Sequence, residues 1–334
     1  MPTTRRDFLK GTVAAAAFSG AALSNFMTEA AAKEKVGSRI WGNLLHLGHN
    51  MWGDTPRAYT PPSFKLDCED ALWVELTERC AEAGLNMIVI DLGEGIRYES
   101  HPELAVEGAW SIEKLRKDLA RLRGLGLEPI PKLNFSACHD FWLGEYSRML
   151  STSKYYEVCA DLIREVCAIF DTPRFFHLGY DEETAEHQRT YDYVVIRQGE
   201  LWWHDFLWFV GQVEEQKVRP WIWSDFCWKH KEDFLKRMPK SVLQSNWYYG
   251  NAFEAPHNVY VQTYLDLDKA GFDQVPTASN WSNNVNFKMT VEFCKENISE
   301  QLLKGFLQTP WKFTQSSVRD HHLRAIEQVK EMIY

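Results

Sequence analysis

His177-Leu178-Gly179-Tyr180-Asp181-Glu182-Glu183 is the densest run of reactive side chains in this 334-residue chain, and it directly follows the apolar pair Phe175-Phe176. An apolar pair feeding an acidic run reads as a buried strand that ends at a mouth, which puts Asp181 and Glu182 within reach of a substrate. Successive side chains on an extended backbone point to opposite sides, so one carboxyl can address a leaving-group oxygen while its neighbour handles an adjacent substituent. Like charges this close push one pKa up, and a raised carboxyl pKa suits a general acid at neutral pH. A second set, His46, His49, Asp91, His139, His177 and Asp225, offers imidazole and carboxylate ligands for a divalent ion, the equipment of a metal-dependent sugar isomerase or epimerase. The same histidines also suit hydrogen bonds to sugar hydroxyls. Arg97 can fork onto a carboxylate or vicinal hydroxyls, or form an internal ion pair with Glu94. Asp320-His321-His322 reads as surface.

Such scattered residues meet only if the intervening chain brings them together. Short β-rich runs recur at 40–47, 87–91, 128–133, 175–178, 219–223, 242–246, 274–278 and 305–309. Helical periodicity fills the gaps: 68–83, closed by Gly84, then a helix from Ser111, and further helices at 154–170, 198–215, 287–303 and 316–332. Residues 259–264 fit either a helix or a strand. Eight strands with intervening helices predict an α/β fold, a single-domain (β/α)₈ TIM barrel over residues 36–334. The rival, a doubly wound open sheet, lacks a G-x-G-x-x-G after its first strand. Polar and aromatic residues gather just after several strands, the end where barrel enzymes build their sites.

The run His177-x-Gly179-x-Asp181-Glu182 resembles the H-x-G-G-D-E signature of glycoside hydrolase family 20, the β-N-acetylhexosaminidases. Gly126 to His139 is similar to that family's third-strand motif, and Trp221-Ile222-Trp223-Ser224-Asp225 to its fifth-strand W-x-D segment. Leu85 to Asp91 and Gly108-Ala109-Trp110-Ser111 also have counterparts. The resemblance implies a (β/α)₈ catalytic barrel and a retaining cleavage of a terminal β-linked (N-acetyl)hexosamine, assisted by the substrate's own acetamido group. It implies Glu182 as acid, Asp181 as the acetamido partner, and His139 and His177 as supports of the acid or of the sugar. Trp223, Trp247 and Trp311 would box the acetamido methyl and the sugar face, with Asn134 and Asp225 at substrate-binding positions. No cofactor or metal is required. The chain departs from the pattern at Tyr180, which replaces the second glycine beside the acid, and at Lys132 and Asn134, which replace Glu and Asp. The arginine that the family places at the end of its first strand is also missing, which keeps a catalytically silent sugar-binding barrel open.

Composition favours a carbohydrate partner independently. The 14 tryptophans suit pyranose faces, which pack on flat aromatic rings. The net charge of −9, without a basic block after the first ten residues, excludes a nucleic-acid partner. Seven cysteines without a C-x-x-C predict buried thiols rather than disulfides or a zinc site. Residues 1–32, with Arg5-Arg6, an Ala-rich core and Ala30-Ala31-Ala32, resemble a twin-arginine (Tat) signal peptide. The expectation is export through the Tat translocase to the periplasm or cell surface of a bacterium, with no stable membrane insertion after signal cleavage.

Overall fold

All eight predicted strands form: β1 Ile40–His46, β2 Met87–Asp91, β3 Glu128–Lys132, β4 Phe175–His177, β5 Arg219–Trp223, β6 Leu243–Ser245, β7 Thr277–Ala278 and β8 Gly305–Gln308. Each is followed by a helix: α1 Asp70–Glu82, α2 Ile112–Gly124, α3 Ser153–Ile169, α4 Gly199–Glu215, α5 Phe226–Arg237, α6 Val259–Lys269, α7 Asn286–Asn297 and α8 Arg319–Ile333. The structure, a computed structural model, describes residues 39–53, 60–189, 191–192, 194–255 and 257–334. Residues 1–32, expected from the sequence to be an export signal, lie outside the described residues.

The strands pair in parallel in the order β6-β5-β4-β3-β2-β1-β8-β7. β6 meets the segment that enters β7 through Val275 N to Gln244 O (2.8 Å) and Thr277 N to Asn246 O (2.9 Å), so the sheet returns on itself as a (β/α)₈ barrel. Alternation along the strands separates two cores. Leu44, Val89, Ile130, Phe175, Trp221 and Leu307 fill the barrel axis, while Leu45, Ile88, Phe176, Ile222 and Phe306 pack with the helices.

Local signals account for the helix boundaries. Ser111 accepts the Lys114 N–H at the start of α2, and Gly84, at φ +86°, follows α1. Residues 259–264 are helical because the Asn258 side chain caps the N–H groups of Tyr260 and Val261 and because Val261, Tyr264 and Leu267 then share the buried face. All seven cysteines are free and buried. Among the described residues no helix is long and apolar enough to cross a membrane.

Candidate active site

The chain leaves β4 through a kink. Gly179 (φ +69°), Tyr180 (φ +74°) and Glu182 (φ +55°) all lie in the left-handed region. Gly179 admits no side chain, because a Cβ there would sit 2.1 Å from Asn134 Oδ1. That same oxygen accepts the N–H groups of Ser136 (3.0 Å) and Tyr180 (3.1 Å), while Asn134 Nδ2 donates to Asp181 Oδ1 at 2.8 Å. The Ser136 hydroxyl bonds the Asp181 carbonyl. Asn134 therefore pins the acidic loop to the end of β3, a role open to an amide that both donates and accepts.

The kink corrects the expectation that adjacent carboxyls diverge. Asp181 Oδ2 and Glu182 Oε2 lie 3.6 and 3.2 Å from the same His139 Nε2. The left-handed backbone at Glu182 cancels the strand alternation that would have separated them. On the far side, Glu182 Oε1 lies 3.4 Å from His187 Nε2, and the Glu182 N–H donates to Asp225 Oδ2 at 2.8 Å.

The charge order also differs from the expectation of a raised acid pKa. Burial pushes the Glu182 carboxyl up, but hydrogen bonds from His139 and His187 outweigh it and hold Glu182 well below the usual carboxylate range. Burial lowers His139, but Asp181 and Glu182 outweigh that effect and raise it to about 9. The carboxyl that is pushed up, to about 7, is Asp225, through burial and the charges of Asp181 and Glu182. The His139 value in the fold lies above its unfolded one, so its contribution to stability is complete below about pH 6.5 and is lost as pH rises through about 9. The thermal midpoint is expected to fall between pH 6.5 and 9, and to fall less steeply in His139→Asn. An equal slope in that variant would refute the pairing.

A cleft of about 420 Å³ opens beside these groups, bordered by Glu182, His187, Asp225, Trp228, Trp247 and Tyr249, among others. Trp247 stacks on Tyr249 with ring centroids 4.9 Å apart, and Trp228 meets Trp247 edge-on at 4.5 Å. Trp311 donates its indole N–H to the Tyr249 hydroxyl (2.9 Å) and lies 5.9 Å from Trp223. Trp223 is buried over His177, with its own N–H unpartnered. Of the residues singled out in the sequence, Tyr180, Glu182, Glu183, Asp225 and Trp247 border the cleft, with His139 and Asp181 joined to Glu182 behind it. Arg97 does not join them: it is exposed, and its side chain makes no hydrogen bond or ion pair among the described residues. Glu94 is not its partner either. It is buried, accepts the N–H groups of His49 (2.7 Å) and Asn50 (3.1 Å), and burial pushes its carboxyl up to about 7. The residues missed were His187, Trp228 and Tyr249, although each lies within six positions of a residue that had been singled out.

Asp320-His321-His322 is only partly surface. Asp320 is exposed, but His322 is fully buried with Nε2 3.0 Å from Phe313 O, and His321 Nε2 lies 2.9 Å from Pro310 O. Helix α8 leans on the loop after β8, and the two rings clip that loop on either side of Trp311. Burial lowers His322 to about 4, which keeps it neutral.

The metal-ligand set does not assemble. Among the described residues, the one group of three or more His, Cys, Asp or Glu whose ligand atoms all lie within 4.8 Å of one another is His139, Asp181 and Glu182, and only His139 belongs to the predicted six. Asp91 is instead held by the buried Lys132 ammonium (Nζ–Oδ2 2.6 Å) with His46 Nδ1 3.1 Å from the same oxygen. Burial raises that carboxyl, but Lys132 and His46 outweigh it and hold it well below its usual range. A side-chain cation thus occupies the place where the isomerase reading wanted an ion. Burial also holds His177 and His49 well below the usual imidazole value.

Tyr180 turns away from the acid. Its ring packs among Trp202 (5.3 Å), Phe206 (5.2 Å) and Phe209 (5.7 Å) of α4, with the Arg197 guanidinium 4.6 Å from its centroid. Arg197 in turn forms a buried ion pair with Glu183 at 2.5 Å, so the third acid of the run is structural. A second, more open depression, about 560 Å³, lies at the opposite end of the barrel beside Glu128 and Arg174, away from the carboxylate and histidine set.

No protein-family model matches the chain, and no curated protein matches it. Solved structures do. The chain is similar to a GH20 exo-β-N-acetylglucosaminidase from Vibrio harveyi in complex with N-acetylglucosamine (13% identity, TM-score 0.58, covering 87% of this chain and 54% of that one). It is also similar to a β-N-acetylhexosaminidase from Bacteroides fragilis (12%, 0.57, 87% and 65%) and to a GH20 β-N-acetylhexosaminidase from Streptomyces coelicolor (11%, 0.59, 86% and 64%). At these identities the likeness is one of fold, and the chain spans between half and two thirds of the length of these structures.

Proposed function

We propose that the chain is an exported glycoside hydrolase of the β-N-acetylhexosaminidase type, which removes a terminal β-linked N-acetylhexosamine with retention of configuration. One observation carries the reading: Asp181 and Glu182 converge on His139 at 3.6 and 3.2 Å beside an aromatic cleft. The solved hexosaminidases of the same fold support it. In this chemistry the substrate's acetamido oxygen attacks the anomeric carbon, so no second carboxylate acts as nucleophile. Glu182 gives a proton to the glycosidic oxygen as its bond to the anomeric carbon breaks. Asp181, tied through Oδ1 to Asn134, keeps Oδ2 for the acetamido N–H and offsets the positive charge on the ring that forms. Water opens that ring and leaves its proton on Glu182. Trp247 and Tyr249 offer flat faces for the sugar, with Trp311 holding the Tyr249 hydroxyl from behind. Residues 1–32 would direct the folded protein through the Tat translocase to the periplasm or cell surface.

The test compares chromogenic β-N-acetylglucosaminides and β-N-acetylgalactosaminides with the matching 2-hydroxy glycosides. Turnover confined to the N-acetyl sugars, and lowered roughly 10²–10³-fold in Asp181→Asn, is expected. Equal turnover of the 2-hydroxy sugars would overturn the acetamido mechanism, and saturable sugar binding without turnover would replace the hydrolase with a binding barrel.

A further inference from the structure

Glu182 carries a second imidazole that belongs to none of the matched motifs. His187 Nε2 faces Oε1, the oxygen opposite the one that His139 holds. A single turn of loop places it: Thr184 Oγ1 accepts the His187 N–H at 3.3 Å and lies 2.7 Å from Nδ1, which leaves the other ring nitrogen on the carboxylate side, 3.4 Å from Oε1. The two histidines differ in access to water. The His139 side chain is 5% exposed and is shared between two carboxylates, whereas that of His187 is 41% exposed and lines the cleft.

This asymmetry bears on a problem in the proposed reaction. A Glu182 that accepts hydrogen bonds from two histidines rests as a carboxylate, whereas the first bond cleavage needs it protonated. His139 is a poor source, because Asp181 and Glu182 both stabilise its charged form. From the geometry we propose that His187 is the positioning residue that loads Glu182 with its proton, exchanging that proton with solvent at the cleft wall. The inference rests on the hydrolase reading. When substrate covers the cleft, the N–H bond at His187 Nε2 breaks and an O–H bond forms at Glu182 Oε1. That proton passes to the glycosidic oxygen, which leaves with the electron pair of its bond to the anomeric carbon. In the second half the attacking water gives its proton to Glu182, from which it returns to His187, so the cycle consumes only water.

The leaving group separates this role from a structural one. An alkyl or sugar alcohol cannot depart without a proton, whereas a dinitrophenolate can. His187→Asn is expected to lower kcat about 10–100-fold for N-acetylhexosaminides with sugar leaving groups, with KM and dinitrophenyl glycoside turnover held within about threefold. Thr184→Val, which frees the ring from its tether, should shift the same ratio in the same direction by less. A wild type that hydrolyses both substrates while His187→Asn affects them equally, or affects neither, overturns this inference alone. A wild type that hydrolyses neither overturns the hydrolase reading and this inference with it.

Discussion

Glu182→Gln is expected to lower kcat for N-acetylhexosaminides with sugar leaving groups by about 10²–10⁴-fold, the usual contribution of a positioned general acid. Glutamine preserves the size of the side chain and its position between His139 and His187 but not its charge, so the melting temperature should fall at and below neutral pH, where the carboxylate and the His139 imidazolium stabilise each other. What it removes is the capacity to hold and release a proton at an oxygen beside the cleft. Dinitrophenyl glycosides, which need no acid for bond cleavage, should lose far less in kcat/KM, while their kcat should still fall because the water that opens the ring leaves its proton on Glu182. A second consequence follows from charge. Glu182 is one of the two carboxylates that raise His139 to about 9, so the variant should also flatten the alkaline decline in thermal midpoint. Steady-state kinetics on the two leaving-group classes, with melting curves from pH 6 to 9.5, check both points. Retention of more than about a tenth of wild-type kcat on sugar leaving groups would remove Glu182 from the role.

The fold was legible because hydrophobic spacing reports burial directly. All eight strands were readable from runs buried on both faces, as parallel barrel strands are. Residues 259–264 stayed ambiguous because Val-Tyr-Val suits both periods, and the deciding cap at Asn258 acts through a backbone hydrogen bond rather than through composition. In the site, the identities of Asp181, Glu182, His139 and Trp247 were readable, but their relative directions were not. Positive φ at Tyr180 and Glu182 sends the tyrosine into the helix layer and turns the two acids toward one imidazole. A linear motif has no means of recording that. The pKa order was misjudged for a related reason: crowding of carboxylates is visible in the sequence, whereas the imidazoles that reverse it arrive from β3's exit and from a loop five residues on. The place of Lys132 was equally hidden, since only the parallel register of β2 and β3 sets it opposite Asp91.

Arg197→Met is expected to destabilise the fold by about 3–5 kcal/mol, the usual cost of removing one partner from a buried ion pair. Glu183 Oε1 accepts the Arg197 backbone N–H (2.7 Å) and Nε–H (2.8 Å), while Oε2 accepts the Ala137 N–H at 3.1 Å as well as the guanidinium. The same guanidinium donates to Phe135 O at 2.6 Å. Three segments therefore meet at one pair: the loop after β3, the acidic loop after β4 and the approach to α4. With the arginine gone, Glu183 is left as a buried carboxylate without its counter-charge, and the double variant Glu183→Gln/Arg197→Met should recover part of the loss because Glu183 no longer carries a charge; the rest stays with the buried Asp205, 3.7 Å from the same guanidinium. Urea unfolding of the single and double variants measures this, and a single variant within about 1 kcal/mol of wild type would show that the pair is not holding the loops. The functional consequence runs through geometry rather than chemistry. His139 lies two residues beyond Ala137 and Asn134 one before Phe135, so a slackened pair moves the groups that aim Asp181 and Glu182. Arg197→Met should lose stability first and activity as a result, whereas Glu182→Gln should lose activity while the protein is still folded, and that difference separates the two neighbouring acids of the run.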